Sequence, residues 1–173
     1  MAPTLNSIRN LGSMQKSYRY RVLFAKLPAV VTGIDVNALN LLAETSELPR
    51  TTNNKIEITL HGHRIQEPGN SISAGTISMS FRETENPLLR DLVNQWQTGV
   101  FDLQTGVSAD KVGVEAIITI QQLDSSDNAT MTYRLEGCFL EEADLGSVEG
   151  GSSDTQVITL SISYDNYTAT VGG

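Results

Sequence analysis

The chain has 173 residues, a single cysteine, and 20 acidic against 12 basic side chains, for a formal net charge of −8. One domain is expected at that length, burying about 70% of the surface its unfolded chain exposes. The acidic balance argues against a surface that wraps nucleic acid, which gains affinity when Lys and Arg displace condensed counterions. The lone Cys138 excludes an intrachain disulfide. No apolar run reaches the ~20 residues of a membrane span, so the expectation is a soluble chain made in the cytoplasm, without signal peptide or membrane anchor.

Residues 1–16 mix Pro, Ser, Asn and Gly with scattered apolar positions and read as an arm that lies on something else. From Ser17 the pattern changes. Tyr18, Tyr20, Val22 and Phe24 alternate with Arg19, Arg21, Leu23 and Ala25, the period of a half-buried strand. Val30 to Leu42 reads as a packed loop or short helical turn, Ala43 to Glu47 as a short strand, and Leu48 to Asn54 as a polar connection not needed to complete any sheet. Lys55 to Leu60 alternates with Ile56, Ile58 and Leu60 on one face. His61-Gly62-His63-Arg64 then bends or bulges the chain, and Ile65 to Ile72 returns to make a long hairpin. A strand from Gly75 turns Ile77, Met79 and Phe81 inward and Thr76, Ser78, Ser80 and Arg82 away.

The one strong helix signal covers residues 86–97. Asn86 is placed to cap it, Pro87 to open it, and Thr98-Gly99 to stop it. Leu88, Leu89, Leu92, Val93 and Trp96 form its apolar stripe, with Trp96 as a core anchor. Glu83 and Glu85 precede the helix, where carboxylates complement its dipole. Val112 to Ile120 reads as a central strand, Asp124 to Asn128 as a turn, and Met131 to Phe139 as the hairpin partner, with Met131, Tyr133, Leu135, Gly137 and Phe139 inward and Cys138 on the polar parity. Glu141 to Asp154 reads as a solvated acidic and glycine-rich loop. Ile158, Leu160, Ile162 and Tyr164 mark the inner face of a final strand. Six or more antiparallel strands with one inserted helix give a mainly β fold, two packed antiparallel sheets as a sandwich or barrel.

Candidate chemistry is thin. His61 and His63 have no further histidine to complete a metal site, the acidic loop lacks calcium-loop spacing, and Cys138 has no evident general base. A non-enzymatic chain without metal or cofactor is expected.

The order of elements carries a resemblance. An N-terminal period-two strand, Leu48-Pro49, a polar loop, a long hairpin from Lys55-Ile56, a strand running into a short Trp-bearing helix, and the terminal Val157 to Asp165 strand resemble the tail tube protein of contractile-tailed bacteriophages. That architecture is shared with the tube of type VI secretion systems. The resemblance spans roughly residues 17–168, leaving an arm at 1–16 and a tail at 169–173. It implies a structural virion protein whose copies form hexameric rings, with inner sheets joined into one barrel. The rings stack into the inner tube of the tail, the conduit for the genome. It also implies as partners the tail sheath protein, a tape measure protein in the lumen, and baseplate and tail terminator proteins, with DNA passing through without specific binding. On this reading Glu57 and Thr59, or Thr76, Ser78 and Ser80, line the channel, and Leu48, Pro49, Arg50, Thr51, Thr52, Asn53 and Asn54 contact neighbours. The competing readings are a type VI secretion-like tube and a non-catalytic carbohydrate-binding β-sandwich. The 6% aromatic content disfavours the last, because most aromatics follow the core parity.

Overall fold

The computed structural model of the chain describes residues 5–10, 12–150 and 154–172. In chain order it contains α1 (Leu5–Arg9), β1 (Tyr20–Lys26), α2 (Val36–Leu41), β2 (Ala43–Ser46), β3 (Thr52–Leu60), β4 (His63–Ile72), β5 (Gly75–Arg82), α3 (Leu88–Val100), α4 (Lys111–Val114), β6 (Ala116–Leu123), β7 (Ala129–Asp144), β8 (Val157–Tyr164) and β9 (Asn166–Val171). Two antiparallel sheets share the long strand β7. Its first half lies between β6 and β9, with β1 beyond β6, while its second half pairs with β8, which continues to β5 and β2. The hairpin β3-β4 forms a separate two-stranded sheet.

The core lies between the shared sheets and is closed by α3. Strand alternation places Val22 and Phe24 of β1, Ile77, Met79 and Phe81 of β5, Ile118 and Ile120 of β6, and Ile158, Leu160 and Ile162 of β8 in one buried cluster. Leu89, Leu92, Val93 and Trp96 of α3 complete it. The Trp96 indole is fully buried, and its Nε1–H donates to the Val114 carbonyl at 2.8 Å. That bond satisfies the one polar atom of the largest core side chain. Tyr18 shares the parity of Val22 but lies before the strand begins and is 72% exposed.

The α3 ends differ from those expected. Asn86 does not cap the helix, and Pro87 occupies the N-cap position without a side-chain bond. The Glu83 carboxylate takes that role, accepting from the backbone N–H of Leu89 at 3.3 Å and of Arg90 at 3.0 Å, so a charge four residues before the N-cap satisfies two orphan donors at the positive end of the helix dipole. At the other end the helix runs through Thr98-Gly99 to Val100. Gly99 is there for space: a Cβ on it would lie 2.5 Å from Val30 Cγ2.

Three strand expectations are corrected. Residues 111–114 are a helical turn, and β6 starts only at Ala116. Glu141 to Asp144 belong to β7 rather than to a loop. The strand β9, formed after Asp165, pairs Asn166–Val171 with Glu136–Met131 of β7, where a tail was expected beyond residue 168.

The largest correction concerns Cys138. Gly137 has φ 66, and the β6-β7 register shifts between Ile118↔Leu135 and Ala116↔Cys138. This bulge reverses the parity of the strand, so Cys138 is fully buried and Phe139 turns outward, half-buried. A Cβ at Gly137 would stand 2.2 Å from Asp165 Oδ2, and only glycine fits there.

Candidate assembly surface

The hairpin β3-β4 is joined by His61 and Gly62, with φ 51 and 81. Positive φ at both central residues gives the two-residue turn whose twist matches that of the strands, so the chain reverses here rather than bulging. Its pairs Ile58↔Ile65, Ile56↔Glu67 and Leu60↔His63 share one face, and Glu57↔Gln66, Thr59↔Arg64 and Lys55↔Pro68 share the other. The second face is closed by charge. Glu57 accepts from Arg64 Nε at 2.9 Å, and its other oxygen is 3.2 Å from Lys55 Nζ. The first face is uncovered, with Ile56, Leu60 and Ile65 exposed by 52%, 56% and 48%. Isolated two-stranded hairpins are marginal in water, and among the described residues nothing gives this face a stabilising cover.

The outer face of β5 and β8 has a different chemistry. Direct cross-strand pairs Thr76↔Ser163, Ser78↔Ser161 and Ser80↔Thr159 set six hydroxyl side chains in two facing rows, and Thr45 of β2 extends them through an Oγ1···Oγ contact of 2.5 Å with Ser80. Sequence reading puts Thr159, Ser161 and Ser163 on the polar face of the last strand but offers only the β5 half as a channel wall, since register with β8 is a tertiary fact. Glu141 of β7 borders the rows, accepting from Thr76 Oγ1 at 2.9 Å and Ser163 Oγ at 2.7 Å. Those two bonds, the Ser163 one the stronger, hold its carboxyl below the usual range. Arg82, at the far end of β5, is ion-paired with Glu44 at 2.5 Å.

The connection from Leu48 to Asn54 is largely tied to its own domain. Pro49 is buried, the Arg50 N–H donates to the Tyr164 hydroxyl at 3.3 Å, and the Thr51 and Tyr167 hydroxyls meet at 2.6 Å. Thr52 and Asn53 already pair with Ile72 and Ser71 in the hairpin, and Asn54 sits at the register shift, its Nδ2 bonded to Asn70 Oδ1 at 2.8 Å. This segment therefore does complete a sheet, because Thr and Asn at a strand start are as compatible with pairing as with a loop. Leu48 remains exposed. In the N-terminal arm, Gln15 Nε2 donates to the Leu123 carbonyl at 2.9 Å, and just beyond it Arg19 Nη1 donates to the Asp124 carbonyl and Asp127 Oδ1, both at 3.0 Å.

The remaining candidates are not brought together. Burial pushes the Cys138 thiol up to about 12, so the thiolate nucleophile is absent near neutral pH. Among the described residues no group of three or more His, Cys, Asp and Glu is placed to hold a metal ion. No helix among them is long and apolar enough to cross a membrane.

No protein-family model matches the sequence, and no curated protein matches it. Solved structures do. The chain superposes on one from the anti-feeding prophage tube-terminating cap with TM-score 0.66 and 13% identity, covering 92% of this chain and 93% of that one. It superposes on one from the sheath-tube complex of the extracellular contractile injection system PVC, in the extended state, with TM-score 0.64 and 16% identity, covering 98% and 99%. The SPP1 tail tube matches with TM-score 0.52 and 10% identity, covering 91% of this chain and 80% of that one. These superpositions run over nearly the whole chain, and the chain has the tail-tube fold, as the order of its elements suggested.

Proposed function

We propose that the protein is a structural tube subunit that assembles with copies of itself into stacked hexameric rings, the inner tube of a contractile phage tail. The observation that carries this reading is the uncovered apolar face of the β3-β4 hairpin, Ile56, Leu60 and Ile65, on a tail-tube fold. A projecting amphipathic hairpin gains its missing cover from a neighbour, and a heterologous contact of that kind closes rings and stacks them. In this role the partners are the sheath, tape measure, baseplate and terminator proteins. The subunit is assembled in the bacterial host cytoplasm and resides in the virion, and DNA moves through the lumen without specific binding. The Thr76, Ser78 and Ser80 face is the better wall for such a channel. Glu57 and Thr59 lie on a hairpin face that also carries Lys55 and Arg64. Leu48 and the exposed part of the connection to Asn54 then contribute neighbour contacts at the base of the hairpin. A second reading, the tube of a contractile injection system other than a phage tail, is favoured by the likeness to chains of the anti-feeding prophage and of the extracellular contractile injection system PVC. Negative-stain electron microscopy with light scattering on the purified protein is the test. Rings or tubes support the assembly reading, and a compact monomer at every concentration overturns it.

A further inference from the structure

The apolar face of the β3-β4 hairpin is interrupted by a titratable ring. Register sets the His63 side chain beside Leu60, on the face of the pairs Ile58↔Ile65 and Ile56↔Glu67, because His63, Ile65 and Glu67 alternate along β4. His61 is set apart from it: with φ 51 it is a central residue of the turn and belongs to neither ladder. The hairpin is a sheet of its own, and the other charged side chains of its two strands are Lys55, Glu57, Arg64 and Glu67. On the opposite face Lys55, Arg64 and Gln66 are gathered on Glu57, so that carboxylate takes no part in neutralising an imidazolium on the apolar face. Glu67 shares the face of His63 but stands four residues along the strand, about 13 Å away. That separation exceeds the Debye length of about 8 Å at physiological ionic strength, so Glu67 does not hold the His63 charge in solution. Among the described residues the His63 ring makes no hydrogen bond or ion pair.

A neutral imidazole can be covered at an apolar contact, whereas an imidazolium taken out of water without a partner carries a heavy desolvation cost. Imidazoles change charge near pH 6.5, between the ranges of the carboxylates and the amines. We propose that His63 makes assembly pH-sensitive: its neutral ring lets a neighbouring copy cover the hairpin face, and its protonated ring keeps that face in water. This rests on the assembly reading above and adds the condition under which the contact forms. Linkage gives the sign. The covered state holds fewer protons than the free subunit, so association is strongest above about pH 6.5 and weakens as pH falls below it. One proton per subunit corresponds to about a tenfold rise in the concentration needed for assembly over the next pH unit. Overall charge acts the other way, because protonating both histidines reduces the −8 of the subunit and with it the mutual repulsion of copies. His61 contributes equally to that second effect and not to the first, which makes it the internal control.

Light scattering of the full chain against concentration, at about pH 7.5, 6.5 and 5.5 and constant ionic strength, is the test, with electron microscopy at each pH. The concentration at which the parent is half assembled should rise about tenfold between the two lower values and return on neutralisation. His63→Gln, which cannot take up the proton, should assemble alike throughout, and His61→Gln should keep the parent's rise. Circular dichroism should show the variants melting with the parent, since residue 63 is exposed and outside the core. His63→Lys fixes the charge, and near neutral pH it should need at least the concentration that the parent needs in acid. Four results overturn the switch and leave the tube reading standing: a parent insensitive to pH, a rise that persists in His63→Gln, one that disappears in His61→Gln, or His63→Lys assembling as the parent does. A parent that stays monomeric near neutral pH at every concentration overturns both.

Discussion

Trp96 shows how one side chain can hold a helix to a sandwich by two means at once. Its ring fills the core, and its indole N–H removes the desolvation penalty of the Val114 carbonyl, which lies in the turn leading into β6. Trp96→Ala should therefore cost about 3–5 kcal/mol, and Trp96→Phe, which keeps a ring but orphans the carbonyl, about 1–3 kcal/mol. Urea melts of the two variants measure this, and a Phe variant as stable as the parent would show that the hydrogen bond contributes nothing net. Asp124 works at the surface. Its carboxylate accepts from the N–H groups of Asn128 and Ser126, at 2.9 and 2.7 Å, and from Asn128 Nδ2, at 3.3 Å. These bonds, the Asn128 backbone one foremost, lower its pKa from the ordinary 3.8. A carboxyl with a depressed folded-state pKa stabilises above its unfolded pKa and loses that stabilisation as pH falls through the folded value. The melting-temperature difference between parent and Asp124→Ala should thus be constant from neutral pH down to about 5 and vanish at lower pH. A difference that grows on acidification would contradict this assignment.

At the scale of elements, the strands with strict alternation were legible because one face of each is buried, as β5 and β8 show with Ile77, Met79, Phe81 and Ile158, Leu160, Ile162. The parity of β7 was not legible past Gly137, since one extra residue at a bulge turns the side chains that follow to the other face, and a second register shift between Leu140 and Glu142 turns it again. A lone glycine in a strand pattern was the only signal. The helix terminus escaped for a related reason: Gly99 is a reliable stop signal by statistics, but here the close approach of Val30 selects it. Likewise the hairpin could be read as a hairpin, but not as one left uncovered, because burial depends on what the rest of the chain does. That exposure gives the element its prediction. Replacing Ile58 and Ile65, which face each other across the strands, by Asp should leave the monomer's melting temperature within a few degrees, because neither belongs to the buried core. The same change should abolish assembly, because two carboxylates cannot be buried unpaired at an interface. Light scattering reads the second effect and circular dichroism the first. A variant that still forms tubes would free the hairpin of its role.

The whole molecule presents two outer sheet faces of different character, and that difference bears on which one meets the cargo of a tube. The face of β1, β6, β7 and β9 carries Arg21 and Arg134 together with half-buried Leu23 and Ile117, a mixture suited to protein contact. The face of β2, β5, β8 and the end of β7 carries paired hydroxyls, Glu141, Glu142 and Asp144, with its guanidinium at Arg82 held by Glu44. Hydroxyls offer no fixed charge to a phosphate, and the excess carboxylates repel it, so a polyanion would slide along such a wall instead of binding. In the proposed ring every copy would repeat a change at one position, which makes a single substitution a sensitive probe. Ser161→Lys places a cation in the middle of the hydroxyl rows, opposite Ser78. If this face lines the channel, virions that have incorporated the variant should deliver their genome more slowly, and raised salt should relieve the delay, because phosphate contacts weaken steeply with ionic strength. Arg134→Glu, a charge change of opposite sign on the other face, should leave delivery kinetics unaltered wherever tubes still form. Unchanged delivery with Ser161→Lys, in tubes of normal appearance, would remove this face from the lumen.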